Sequence, residues 1–516
     1  MRAMVSSFRV VLPPLALLAA ALLPLALALS PPTRAQPAET GLTFAAIEQM
    51  AANLALAPYR EPVYIGGEMK GLSYDHYRAI RSHKDTALWR DAGLFRVEFF
   101  PAGFIYDKPI AINLVEAGQA TPVAIKSEQF DFSDSGLKEV PRDVMPAGFK
   151  LTFPLNRPDK FDEIAAFLGA SYFRAIGRGQ FYGSSARGLA IDTATERPEE
   201  FPVFRSFWLL RPKPDAQEIT LWALLDSPGA AGAFAFVIRP GARTIVETTA
   251  VLFARRDLAV AGIAPLTSMY FAGKASPPRD DYRPEIHDCD GLYLLTGHGE
   301  RIWRPLGNPA TLAVSTFSDS NPRGFGLLQR ERAFEQYQDT AANLQDRPGL
   351  WVEPIGDWGD GEIRLVEIPS KSETNDNIVA FWKPRGPIRK GDRFEARYRL
   401  SALSDEAALS PAGRVIATRT AAVPFAPKQR RLVVEFAGGE LPTLAAEQPV
   451  SANVSLTSGK IVRTYVEALP MQERIKGAWR MFVDYEPDSA KPADLRAVLQ
   501  LRGAALTETF VTTLRP

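Results

Sequence analysis

A single cysteine, Cys289, and four histidines in 516 residues remove most of the side chains from which metal centres and thiol chemistry are built. No intramolecular disulfide can form, so packing has to supply the stability, and Cys289 is expected as a small buried residue. An excess of charge of one sign is also missing. Sixty Lys and Arg against 59 Asp and Glu give a formal charge of +1, which offers no electrostatic footprint for nucleic acid or an anionic membrane surface. After the amino terminus there is no long apolar run, and no internal repeat, heptad pattern or low-complexity tract. Helical periodicity is scarce, and carboxylates are left as the main candidates for chemistry.

The amino terminus has what the rest lacks. Arg2 and Arg9 precede an apolar run from Val10 to Leu29 that ends near the small-residue site Thr33-Arg-Ala35, the pattern of a secretory signal peptide spanning 1–35. An apolar run of roughly 20 residues is also long enough for an uncleaved anchor, which is the alternative reading. No adjacent arginine pair marks a twin-arginine signal. Removal of 1–35 takes away Arg2, Arg9 and Arg34 and no acid, leaving 57 basic against 59 acidic residues, a net −2.

The remaining length suits two or three domains. Thr43 followed by Ile47, Met50 and Leu54 predicts a helix over Phe44–Leu56, and Asp159 predicts a second over Lys160–Leu168. Most other segments alternate. Ile219, Leu221, Ala223 and Leu225 share one parity, and Phe394, Ala396, Tyr398 and Leu400 alternate with Arg393, Glu395, Arg397 and Arg399. Turn clusters such as Asp226-Ser-Pro-Gly229 and Gly356-Asp-Trp-Gly-Asp-Gly361 recur between such runs, so an antiparallel all-β architecture is expected. A polar stretch at 404–414 reads as a linker between a large domain, 36–403, and a small one, 415–516. The small domain carries about seven strand-like runs, among them Lys476 to Tyr485 with Trp479, Met481, Val483 and Tyr485 on one face, a count that suits an immunoglobulin-like sandwich.

Among the histidines, His76 and His83 are spaced too far apart for a shared metal, and His287 and Asp288 as consecutive strand residues face opposite ways, so a structural histidine is expected. No metal or cofactor is predicted. Asp288 and Asp290 differ by two, which on an extended segment puts both carboxylates on one face where repulsion raises one pKa. The same Asp-Cys-Asp-Gly291 segment also fits a turn in which aspartates bond their own backbone. Its spacing excludes a calcium loop. Asp376 stands between Asn375 and Asn377, with Glu373 upstream, in a polar segment that fits either an oriented carboxylate or a solvated hairpin tip. Gly177, Gly179 and Gly183 depart from a dinucleotide fingerprint, and no Gly-Lys-Ser/Thr follows. Tyr172, Phe173, Phe181 and Tyr182, interleaved with Arg174, Arg178 and Arg187, fit a sugar-binding groove or core strands equally well.

A colinear series then stands out: Phe130-Asp-Phe132, Ser171-Tyr-Phe-Arg-Ala175, Tyr182-Gly183, Tyr282-Arg-Pro-Glu-Ile-His-Asp288, Ile302-Trp-Arg-Pro-Leu306, Asn321-Pro-Arg-Gly-Phe-Gly-Leu-Leu-Gln-Arg330, Arg347-Pro348, Trp351-Val352, Val366-Glu-Ile-Pro369 and Glu373-Thr-Asn-Asp-Asn377. In these residues the chain resembles the periplasmic glucan biosynthesis protein G/D family, which acts in making osmoregulated periplasmic glucans. The resemblance implies a large galactose-mutarotase-like β-sandwich followed by a small immunoglobulin-like one, in the periplasm. It implies a β-1,2-linked glucan substrate and an inverting endo-β-1,2-glucanase, with Asp376 matching the general acid and Asp288 the general base. Glu373, Asn375, Arg347, Asp290, Trp303 and Tyr182 are the residues it offers for substrate binding. A non-catalytic glucan-binding or assembly factor, partnering the membrane glucosyltransferase, is the other function it allows, and a homodimer is one assembly. One departure is Leu344-Gln-Asp-Arg-Pro348, where relatives can carry tyrosine a few residues before the Arg-Pro step; if that tyrosine shapes a subsite, turnover or linkage preference differs here, while the retained aspartates imply no loss of chemistry.

Overall fold

The computed structural model describes residues 41–274, 278, 280–469, 477–488 and 491–514; the expected export segment 1–35 lies outside them. Alternating strands build two broad sheets. One has ten strands and runs from Arg96–Pro101 through Pro146–Arg157, Lys160–Leu168, Tyr172–Ala175, Ser185–Arg187 and Ala261–Ser268 to Ile378–Pro384, Asp360–Glu367 and Ala313–Ser320. The other has fifteen, and its central strands Val203–Leu210, Ile219–Asp226, Ala230–Arg239 and Ile245–Ala254 pair antiparallel in succession, as short connections favour, with Arg393–Leu403 and then Gly349–Ile355 added antiparallel by long-range pairing.

The apolar faces of these sheets meet in a phenylalanine layer. Phe149 and Phe167 of the first sheet stand 5.0 and 5.4 Å from Phe207 of the second, and Phe173 stands 5.3 Å from Phe236, with edge-to-face geometry in each case. Ile219, Leu221, Ala223 and Leu225 are buried as their parity requires. The chain is therefore an all-β sandwich.

Toward the carboxyl end, strands Arg414–Val423, Ala426–Ala437, Trp479–Glu486 and Lys460–Ala468 form a separate four-stranded sheet, while Val450–Leu456, Ala493–Leu501 and Thr509–Leu514 extend the fifteen-stranded one. Trp479, Met481, Val483 and Tyr485 are buried between them, and the same core takes in Tyr293, Trp303 and Trp351. In the segment expected as a linker, Glu406 is buried and pairs with Arg330 at 2.8 Å and Arg414 at 3.0 Å.

Two local expectations are corrected. Helix Phe44–Leu56 forms, but its buried face runs through Ile47 and Ala51, so Met50 is 41% exposed. Lys160–Leu168 is a strand, not a helix, in a hairpin with Pro146–Arg157. Its apolar spacing misled because the register slips between the Leu151–Ala165 and Thr152–Glu163 pairs, leaving Ile164 unpaired. That bulge buries both Ile164 and Phe167, and their separation of three imitates a helical period.

Deletion of the shared ring at the layer's centre should be costly. Phe167→Ala is expected to lower stability by about 3–5 kcal/mol in urea unfolding, whereas Phe425→Ala, at an exposed loop tip, should stay within about 0.5 kcal/mol.

Candidate active site

Strand alternation also fixes what the ten-stranded sheet shows on its outer side. Phe173 points into the phenylalanine layer, so its neighbours Tyr172 and Arg174 point out, and on the adjacent strand Phe167 points in while Glu163, Ala166 and Leu168 point out. Over this outer face the hairpin tip between Asp360–Glu367 and Ile378–Pro384 places Asp376, and the link between Ile286–His287 and Gly291–Leu295 places Asp288. Both aspartates line one cavity of about 470 Å³ together with Arg174, Tyr182, Arg347 and Glu373.

The two carboxyls differ in surroundings. Asp288 is almost fully buried and forms an ion pair with Arg347. Burial pushes its pKa up, and the Arg347 guanidinium opposes that rise. Arg347 also donates to the Ala342 carbonyl at 3.3 and 3.2 Å, and its stem lies against Gly183, where a Cβ would fall 2.9 Å from the arginine Cβ. Only glycine fits beneath that arginine. Asp376 has a side chain 40% exposed, and its nearest cation, Arg174, is 4.0 Å away. Its pKa is raised, first by desolvation in the cleft; Arg174 opposes the rise and the charge of Asp288 adds to it.

The tip that carries Asp376 is fixed at its neck. Asn377 is buried; its amide nitrogen donates to the carbonyls of Tyr270 and Ile368, both at 3.0 Å, and its amide oxygen accepts from Tyr270 N–H at 2.8 Å. Asn308 holds Ser370 by both backbone groups, at 2.9 and 2.8 Å. Glu373 pairs with Arg283 at 2.9 Å, and Arg283 also binds Asp339 at 2.7 Å and Asp281 at 2.8 Å, which ties the tip to the segment leading into Arg347. Asn375 is exposed and donates to the Ser370 hydroxyl at 3.2 Å. The hydroxyl of Tyr182 is buried beside Glu163 at the cleft, where burial pushes its pKa up and the carboxylate raises it further.

Asp290 and Trp303 are placed elsewhere. The expectation that Asp288 and Asp290 share a face fails because the residues between the two short strands turn. Asp290 accepts the backbone N–H groups of Arg330 and Glu331 at 3.1 and 3.0 Å, while Trp303 lies beneath the Arg330 guanidinium, 3.5 Å from its ring centre. Both line a second cavity of about 780 Å³ toward the carboxyl-terminal strands. Acids around that cavity are engaged: Glu406 by Arg330 and Arg414, and Glu435 by Arg419 and Arg480. His287 is buried against Glu285 at 2.9 Å and stacks on Tyr270, away from the cleft, and Cys289 is buried with its thiol pushed up to about 12. Leu344 packs in a small core with Met269, Ile286 and Tyr337.

Tyr74, Phe100, Tyr106 and Glu163 also line the cleft, and no sequence signal marked them. Glu163 lay inside the segment read as a helix. Parity along Lys160–Leu168, once that segment is taken as a bulged strand, would have found it.

The fold and the cleft thus define an all-β sandwich protein whose outer face gathers carboxylates and guanidinium groups in one cavity, a surface suited to a hydroxyl-rich ligand. Comparison with known proteins narrows this class. Residues 42–514 match the family described as "Periplasmic glucan biosynthesis protein, MdoG", and the chain belongs to that family. It is 41% identical over 485 residues to "Glucans biosynthesis protein G" of Rhodopseudomonas palustris (strain BisA53), covering 93% of this chain and 95% of that protein. It is 42% identical over 489 residues to "Probable glucans biosynthesis protein D" of Shewanella oneidensis, covering 92% and 89%, and 43% identical over 469 residues to "Glucans biosynthesis protein G" of Cereibacter sphaeroides, covering 89% and 86%. Among the described residues no helix is long and apolar enough to cross a membrane.

Asn377→Ala leaves three backbone groups without their partner, so it should lower stability by about 2–4 kcal/mol and speed amide exchange across 369–376. Exchange unchanged in that segment would show that the neck does not depend on Asn377.

Proposed function

We propose that this protein acts in the periplasm on a β-1,2-linked glucan backbone, as an inverting endo-β-1,2-glucanase in which Asp376 is the general acid and Asp288 the general base. The observation that carries the reading is the convergence of these two aspartates on one cleft with different cation partners. In this scheme the protonated Asp376 donates to the glycosidic oxygen as the bond from the anomeric carbon breaks. Ionised Asp288 takes the proton of a water that attacks the opposite face of the sugar, directly or through an intervening hydroxyl, so the β-linkage yields an α-anomer.

The two carboxyls differ in their partners: burial raises the pKa of both, but Asp288 is in contact with Arg347, which favours its ionised form, whereas the nearest cation to Asp376 is 4.0 Å away. Arg347, Glu373 and Tyr182 are the residues proposed to hold sugar hydroxyls, with Asn375 shaping the tip. The nascent chain would come from a membrane glucosyltransferase, which makes trimming of its product the proposed place of this step.

Purified protein incubated with linear β-1,2-glucan should release oligosaccharides with initial α configuration, and Asp376→Asn should reduce turnover by about 10²–10⁴-fold. Equal turnover by the two proteins would remove Asp376 from the acid role. Glucan binding without cleavage, together with restored glucan production by an Asp376→Asn strain, would favour an assembly factor instead.

The Arg174 guanidinium opposes the rise of both aspartate pKa values, so its removal is expected to raise both. Activity needs Asp288 ionised and Asp376 protonated; it rises with pH through the first and falls through the second. Arg174→Gln should therefore move both limbs of the kcat/KM profile to higher pH, and a profile with unmoved limbs would contradict the assignment.

A further inference from the structure

Beside the cleft lies a strained aromatic turn that the proposed chemistry does not use, and its last residue, Tyr106, lines the cavity. Gly103 and Tyr106 exchange backbone hydrogen bonds of 3.1 and 2.8 Å, leaving Phe104 and Ile105 as the tip of a two-residue hairpin. Phe104 has φ of 53°, in the left-handed region, at the first central position, where such turns take glycine. A bulky residue there costs on the order of 1–2 kcal/mol in backbone strain. Its ring lies 6.1 Å from that of Tyr74 and 6.2 Å from that of Tyr77, and its N–H donates to the Met69 carbonyl at 2.9 Å. Tyr74 is 56% exposed, opens the short helix Tyr74–Ala79, and lines the same cavity as Asp376. Ile105 beside it is 66% exposed.

The cavity has the size of a pocket for a drug-sized ligand, so a polymer cut internally has to run out of it. Its interior supplies carboxylate and guanidinium partners for hydroxyls; its mouth supplies ring faces instead. Sugar rings present C–H faces that pack on aromatic faces, and a ring backed by a second ring loses little freedom on binding. We propose that Tyr74, supported from behind by Phe104, is an outer subsite that stacks a glucosyl unit of the chain beyond those held at Asp376 and Asp288. This subsite rests on the glucan reading above and assigns the protein a preference for long chains over short oligosaccharides. Strain at Phe104 is retained on this account because glycine at the same turn would relax the backbone and leave Tyr74 unsupported.

The test is titration calorimetry of the Asp376→Asn protein with size-fractionated linear β-1,2-glucan, repeated with Tyr74→Ala or Phe104→Gly added. Tyr74→Ala should weaken binding of the longest fraction by roughly three- to ten-fold, with a loss that shrinks as the chain is shortened. Phe104→Gly should weaken long-chain binding in the same direction while the thermal midpoint stays within about 3 °C, because relief of strain offsets lost ring contact. Unchanged long-chain affinity in Tyr74→Ala, or an equal loss at every chain length, overturns the subsite and leaves the catalytic reading standing. Binding by the parent without hydrolysis by the wild type overturns the catalytic reading alone, and absence of any β-1,2-glucan binding overturns both.

Discussion

The ion pair between Arg347 and the buried Asp288 is the contact through which the cleft is assembled. It joins three stretches of chain that share no strand pairing: the turn at Gly183, the link after Ile286–His287 and the segment from Ala342 to Arg347. Loss of one partner would leave the other charge buried and unpaired, a cost of about 3–5 kcal/mol, so the pair enforces the geometry as well as occupying it. Two devices make the pair possible: glycine at 183, which leaves room for the arginine stem, and the Ala342 carbonyl, which takes up N–H groups that Asp288 does not.

Charge around the cleft is matched nearly one for one. Glu163 has Lys150 at 2.7 Å, Glu373 has Arg283 at 2.9 Å, and Asp288 has Arg347, while the nearest cation to Asp376, Arg174, is 4.0 Å away. Asp376 is therefore the acid of this group without a close ion pair, and burial in the cleft raises its pKa, as it does that of Asp288. Its position nevertheless is not loose, because Asn377 and Asn308 fasten the two ends of its tip through backbone groups. Neutral amides do this without adding charge beside the carboxyl.

Legibility in the sequence followed the range of the interactions. Parity along Ile219–Asp226 and Trp479–Glu486 is a local property, so those strands and the all-β class could be read directly. The Lys160–Leu168 strand could not, because a bulge converts period two into an apparent period of three at Ile164 and Phe167. Asp288 and Asp376 looked like turn residues by local pattern, and both do sit in connections between strands. What distinguishes them is long-range: sheet pairing that sets Tyr172–Ala175 beside Lys160–Leu168, and burial around Arg347. Phe100 was invisible for the same reason, since only the sheet order brings the amino-terminal strand Arg96–Pro101 to this face, and Tyr74 and Tyr106 reach it from a helix and a turn that flank that strand.

The sandwich also separates stability from the site. Apolar side chains that hold the sheets together point inward from the strands whose outward positions line the cleft, so Tyr74 and Asp376 contribute little to the core they stand on. Substitution at either position perturbs solvent-facing groups, and any change in binding or turnover can be read as chemistry at the cleft. Asp288 is the opposite case. Its carboxyl is buried and holds Arg347, so replacing it removes the proposed base and unmakes the geometry around it in the same step. Effects at Asp288 and Asp376 are therefore unequal even if the two act in one reaction, and the pair is coupled: each charge raises the cost of ionising the other, so a variant at one position shifts the titration of its partner.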